Sequence, residues 1–165
     1  MDKAGSKNPG RHNGRSSSSK AGVNGESRFD FVIPSDPQAA EDVQDQILAD
    51  IRRRGYDGHA VFAIKLALAE GIINAINHGN HKDPNKKVHV EATVTPKEAI
   101  IVIEDEGPGF DRCNVPNPTL PENLEKCNGR GIHLIESYMN EVEYTRGGRR
   151  VRMMKRNEPD VLPRS

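Results

Sequence analysis

The sequence predicts an α+β fold: a two-layer sandwich, with a mostly antiparallel, mixed sheet covered on one face by helices. Two observations carry that prediction. The elements follow the order β-α-α-β-β-loop-α-β-β, in which neighbouring strands join as hairpins. Regular βαβ alternation, which a doubly wound parallel sheet requires, is absent.

Each element has its own signal. Arg28-Phe-Asp-Phe-Val-Ile33 alternates, is rich in β-formers and stops at Pro34, giving the first strand. Ser35 and Asp36 ahead of Pro37 mark a helix start, and Ala40, Val43, Ile47 and Ile51 recur at helical spacing until Gly55. A second helix runs from about residue 57 to 78, and Asp83-Pro84-Asn85 makes a turn. Residues 88–95 and 99–105 read as strands joined at Pro96-Lys97-Glu98. The stretch 106–128 holds four prolines and two glycines and reads as a lid or binding loop. A compact domain rarely keeps about 20 structureless residues without a functional reason. Gly129-Arg130-Gly131 then opens a helix through about Asn140. Strands 141–146 and 149–155 follow, joined by a hairpin turn at Gly147-Gly148.

The 165 residues suit one domain. Residues 1–27 hold almost no large apolar side chain and carry Ser16 to Ser19 among Gly, Asn, Lys and Arg, so they read as a disordered basic tail. Residues 28–156 form the domain, and 157–165 a frayed end. A formal net charge of zero gives no global argument for nucleic-acid or membrane binding. Cys113 and Cys127 lack metal-ligand spacing and read as free thiols of a reducing compartment. With no apolar run of about 18 residues and no signal-peptide core, a cytoplasmic protein is expected.

Three motifs carry chemistry. In Glu70-Gly-Ile-Ile-Asn74-Ala-Ile-Asn77-His78-Gly79, a step of about 100° per residue places Asn74 and Asn77 beside Glu70. Ile64, Leu68, Ile72 and Ala75 lie opposite. Asn is a poor helix former, unusual on an ordinary exposed face. On this segment alone two readings stand open: a base with a metal ligand, or a solvated stripe closed by a C-cap at Gly79. Asp105-Glu-Gly107-Pro-Gly109 follows a buried strand, and its glycines let backbone approach a ligand. Gly129-Arg130-Gly131 at a helix mouth offers free N–H groups to phosphate oxygens. Neither a Walker A nor a Rossmann fingerprint is present.

In this order, E-x-x-x-N, D-x-G-x-G and G-x-G resemble the N, G1 and G2 boxes of the GHKL ATPase superfamily, over about residues 31–155. The phrases around Asn74 and Gly131 look most like the anti-sigma-factor serine-kinase branch. The resemblance implies the GHKL, histidine-kinase-type ATPase fold, with ATP and Mg²⁺ as cofactors. It implies Glu70 as general base, Asn74 as Mg²⁺ ligand, and Asp105 as acceptor for the adenine amino group. Gly107 and Gly109 would seat the purine, and Gly129 and Gly131 would receive phosphates. Arg130 adds a cation or is merely exposed, and Asn77 would assist metal or phosphates. Implied partners are a sigma factor and a small antagonist protein phosphorylated on serine; relatives commonly form homodimers. The competing readings are a nucleotide-gated binding module without kinase activity and a small ATPase whose Glu70 activates water. The proline-rich lid, with Thr119 its only hydroxyl residue, departs from the family pattern.

Overall fold

The computed structural model describes residues 17–21, 25–109 and 130–158, with 17–21 and Arg130 described as backbone. Strands β1 (Ser17–Ala21), β2 (Ser27–Pro34), β3 (Lys87–Val94), β4 (Glu98–Asp105), β5 (Glu141–Thr145) and β6 (Arg150–Arg156) form one sheet. Its order is β1-β2-β3-β4-β6-β5. Every described pairing is antiparallel.

The register explains the core. Phe31, Val90, Ile103, Val151 and Tyr144 align across the strands as one row, and Phe29, Ala92, Ile101, Met153 and Val142 as the next. Side chains two residues apart share a face, so both rows point the same way. Each row member is buried or packed against the core. At about 1.5–3 kcal/mol per large apolar side chain, these rows are the main favourable term holding the sheet to its helices. A third row runs Ile33, Val88, Asp105 and so ends on a carboxylate at a core-facing position.

Three helices cover that face: α1 (Pro37–Arg53), α2 (Gly58–Asn74) and α3 (Arg130–Tyr138). Asp36 caps α1 by accepting from the Gln38 N–H at 3.0 Å, with Pro37 supplying a φ already suited to the first turn. Asp57 caps α2 through its Oδ1, which accepts from the His59 N–H at 2.7 Å and the Ala60 N–H at 3.4 Å. Helix α2 is the central one, burying Ile64, Leu68 and Ile72. It lies so close to the sheet that a Cβ on Gly71 would stand 2.6 Å from Ile103 Cδ1. Asp50, 2% exposed, pairs with Arg54 at 2.8 Å, and Arg54 also donates to Ser27 Oγ at 2.6 Å, tying α1 to β2.

Three expectations change. An edge strand, β1, lies inside the segment that composition reads as a disordered tail. Edge pairing uses backbone groups and needs no apolar side chain. The expectation on apolar runs is not among them: Gly58–Gly79, at 22 residues, is long and apolar enough on average to cross a bilayer, but Lys65, Glu70 and Asn74 interrupt it. Half of that window is buried inside the domain, which is where a core helix puts such residues. Helix α2 does not end in a C-cap at Gly79; it widens at Ala75–Gly79 into one π-helical turn. The left-handed residues come later, at His81 (φ 53°) and Lys82 (φ 58°). Finally, the connection between β5 and β6 is a turn of four residues, with Arg146, Gly147 and Gly148 all at positive φ.

Candidate nucleotide site

Glu70 and Asn74 stand one turn apart on the half-buried side of α2, facing α3. The contact is made by Gly131 in the first turn of α3. A Cβ there would lie 2.5 Å from Glu70 Oε2 and 3.0 Å from Asn74 Nδ2. Gly131 thus lets the start of α3 lie directly on both polar groups, and a Cβ there would push the Glu70 carboxylate and the Asn74 amide aside. The first N–H groups of a helix have no partner within it, so α3 presents donors beside a carboxylate and an amide.

The second cluster lies at the far end of the π turn. Asp105 is 9% exposed at the end of the core-facing row. Its Oδ1 accepts from the Gly107 N–H at 2.8 Å, and its own N–H donates to the Arg149 carbonyl at 3.0 Å. Burial pushes its carboxyl above the ordinary value, while the Gly107 N–H and the Arg149 charge pull it back. A Cβ on Gly79 would overlap the Asp105 carboxylate, and one on Gly107 would overlap the Gly79 carbonyl. The π turn and the loop after β4 thus close on each other around one carboxylate. Gly109 (φ 85°) continues that loop, where a Cβ would overlap the Gly147 carbonyl of the β5–β6 turn.

Segments separated in sequence therefore meet at two contacts: Glu70 and Asn74 with Gly131, and Gly79 with Asp105 and Gly107. Asn77 sits half-buried within the π turn, where the 100° step no longer fixes its direction. Arg130 opens α3 as backbone; its side chain, Gly129 and the lid between 110 and 129 lie outside the described residues. Three contributors were not legible as site residues. Gly79 reads as a C-cap, Gly147 as a hairpin residue, and Asn80 as the residue after a helix. Their only signal is the spacing that follows Asn74, and it does not reveal a π turn.

The donors present fit an adenine nucleotide with Mg²⁺. A buried carboxylate with one oxygen engaged by Gly107 leaves the other to accept from an exocyclic amino group. Among the described residues no group of three or more His, Cys, Asp or Glu side chains is placed to hold a metal. An oxygen from Asn74 beside a carboxylate instead suits an ion that takes few protein ligands and completes its shell with phosphates and water.

Comparison with known proteins identifies the family. Residues 33–155 match the family described as histidine kinase-like ATPase domain. An anti-sigma F factor of Oceanobacillus iheyensis is 37% identical over 83 residues, which are 48% of this chain and 56% of that protein. The serine-protein kinase RsbW of the same organism is 25% identical over 126 residues, 71% of this chain and 80% of the relative. RsbW of Bacillus subtilis is 25% identical over 122 residues, 69% and 75% of the two chains. The chain spans only about half the length of the anti-sigma F relative.

Proposed function

The chain belongs to the family of histidine kinase-like ATPase domains, and on that premise we propose that it is a serine-protein kinase and anti-sigma factor. It uses ATP to phosphorylate a serine of a small antagonist protein, and it holds a sigma factor. One observation carries the reading: Glu70 and Asn74 converge on the start of α3, while Asp105 stands buried across the π turn from them. The names of the relatives, anti-sigma F factor and serine-protein kinase, support the choice of acceptor and partner.

The residues divide the work. Asp105 accepts from the adenine amino group with the oxygen that Gly107 leaves open, and Gly107 and Gly109 let the purine lie against backbone. Gly129 and Gly131 offer N–H donors to the phosphates, joined by Arg130 and Asn77. Asn74 holds Mg²⁺, which when bound neutralises phosphate charge. Glu70 takes the proton from the serine hydroxyl as its oxygen bonds to the γ-phosphorus and the bond to the ADP oxygen breaks. Phosphoryl transfer asks chiefly for positioning and charge neutralisation, which this arrangement supplies without a covalent intermediate. The protein works in the cytoplasm, as a homodimer or a monomer.

The test is transfer from γ-labelled Mg·ATP into proteins of the host extract, comparing wild type with Glu70→Ala. A small labelled protein seen with wild type alone is the expected result. Label released as free phosphate assigns Glu70 to water activation instead. If ATP binds but neither product forms, the nucleotide only gates partner capture.

A further inference from the structure

We propose that Asn80 is a positioning residue for the adenine-recognising carboxylate, an inference that rests on the nucleotide reading above. Asn80 is fully buried, at 0% exposure, directly after the π turn. Its main-chain N–H donates to the Ala75 carbonyl at 2.7 Å, closing that turn. Its side-chain Nδ2 donates to the Lys87 carbonyl at 2.8 Å and to Ser35 Oγ at 3.0 Å. Its Oδ1 accepts from the Glu106 N–H at 2.8 Å. One amide therefore joins four segments: the π turn, the connection from β2 to α1, the start of β3 and the loop after β4.

The consequence falls on Asp105. Asn80 fixes the peptide at Glu106, and the next N–H, that of Gly107, holds Asp105 Oδ1. Glu106 is held from its other end too, since its Oε2 accepts from the Lys87 N–H at 2.8 Å. Gly79, the residue before Asn80, packs against the same carboxylate. Asn80 thus sets which Asp105 oxygen is engaged and which faces the purine. Both Nδ2 hydrogens and the Oδ1 acceptor are in use, so neither Asp nor a shorter residue reproduces the set.

The experiment measures Kd for ADP and for inosine diphosphate, which carries a carbonyl where adenine carries its amino group. In Asn80→Asp an oxygen replaces Nδ2 opposite the Lys87 carbonyl, and the ADP preference is expected to fall at least tenfold. Ser35→Ala removes one partner and retains the rest, with an expected fall of about threefold; it decides the matter should Asn80→Asp not fold. A role confined to stability would weaken both nucleotides in parallel, and a preference unchanged in the folded variants would overturn the inference. Asp105→Asn separates the two levels. If it leaves the wild-type preference intact, or wild type shows none, the adenine reading itself fails. If it abolishes the preference while Asn80→Asp and Ser35→Ala retain it, the failure is Asn80's alone.

Discussion

Asp105 occupies a position that the sheet register reserves for an apolar side chain, in the row begun by Ile33 and Val88. Its burial therefore opposes folding, a cost that the adenine role proposed above would account for. The carboxyl is raised above its ordinary 3.8 by desolvation, with the Gly107 N–H bond acting in the other direction. Between pH 3.8 and that raised value the folded state binds more protons than the unfolded chain. Stability accordingly declines as pH rises through that window and stays lower above it. Asp105→Asn should therefore melt higher than wild type at pH 7, with the gap closing as the pH approaches 3.8. The same variant should lose at least tenfold in ADP affinity, about 1.4 kcal/mol. Once an Asn oxygen accepts from Gly107, the group left facing the purine is a donor. Calorimetry with and without ADP reads both effects, and equal melting at every pH would contradict the burial argument. Gly107→Ala tests the opposite wall: its Cβ meets the Gly79 main chain, which does not move out of the way as a side chain end does. Loss of ADP binding is expected in a protein that keeps its helical circular dichroism.

Helix α2 carries a stabilising cap at one end and the proposed catalytic pair at the other. Asp57 caps its start, 13 residues before Glu70 (70 minus 57). Asp57→Ala should cost about 1 kcal/mol in urea unfolding, yet leave the ADP Kd unchanged, because the polar end is held by Gly131 and the π turn. A parallel loss of affinity would mean that the cap sets the helix register. Both α2 and its polar stripe were legible from the spacing of Ile64, Leu68 and Ile72 against Glu70 and Asn74, since burial enforces the helical period. The π turn was not legible. It arises where Gly79 and Asn80 meet the Asp105 loop, a contact made across 26 residues of sequence (106 minus 80) that no local period encodes. Asp105 and Gly107 could be picked out as candidates because a carboxylate and glycines after an aliphatic strand break the pattern, and the structure joins them by a hydrogen bond. Asn80 breaks no pattern. Strand β1 was hidden for another reason: its pairing with β2 is a matter of backbone, while composition reports side chains.

Across the whole molecule, two further carboxylates act on stability with a sign opposite to that of Asp105. Asp50 joins α1 to the start of β2 through Arg54, and Glu104 joins β4 to β6 through Arg150 at 2.9 Å. Burial raises both carboxyls, but their arginine hydrogen bonds, with Ser27 assisting Asp50, outweigh it and hold both below the ordinary values of 3.8 and 4.5. A lowered folded-state value gives stability that is fully present above the unfolded pKa and lost as pH falls through the folded one. These inter-element clamps therefore feed the acid limb of the stability curve, Glu104 from about pH 4.5 downward and Asp50 from about pH 3.8, while Asp105 adds an opposing slope above pH 3.8. Asp50→Asn isolates the first contribution. At pH 7 it replaces charge-assisted bonds to Arg53 and Arg54 with neutral ones, at a cost of about 2 kcal/mol. At pH 3 the unfolded chain has largely taken up the proton, so part of that stability is already gone and the two proteins should unfold at closer urea midpoints. The α1–β2 clamp lies away from the nucleotide cluster, so ADP affinity at pH 7 should not change. If the stability difference were the same at pH 7 and pH 3, Asp50 would act through shape and packing, and the acid limb would have to come from Glu104 and other carboxylates.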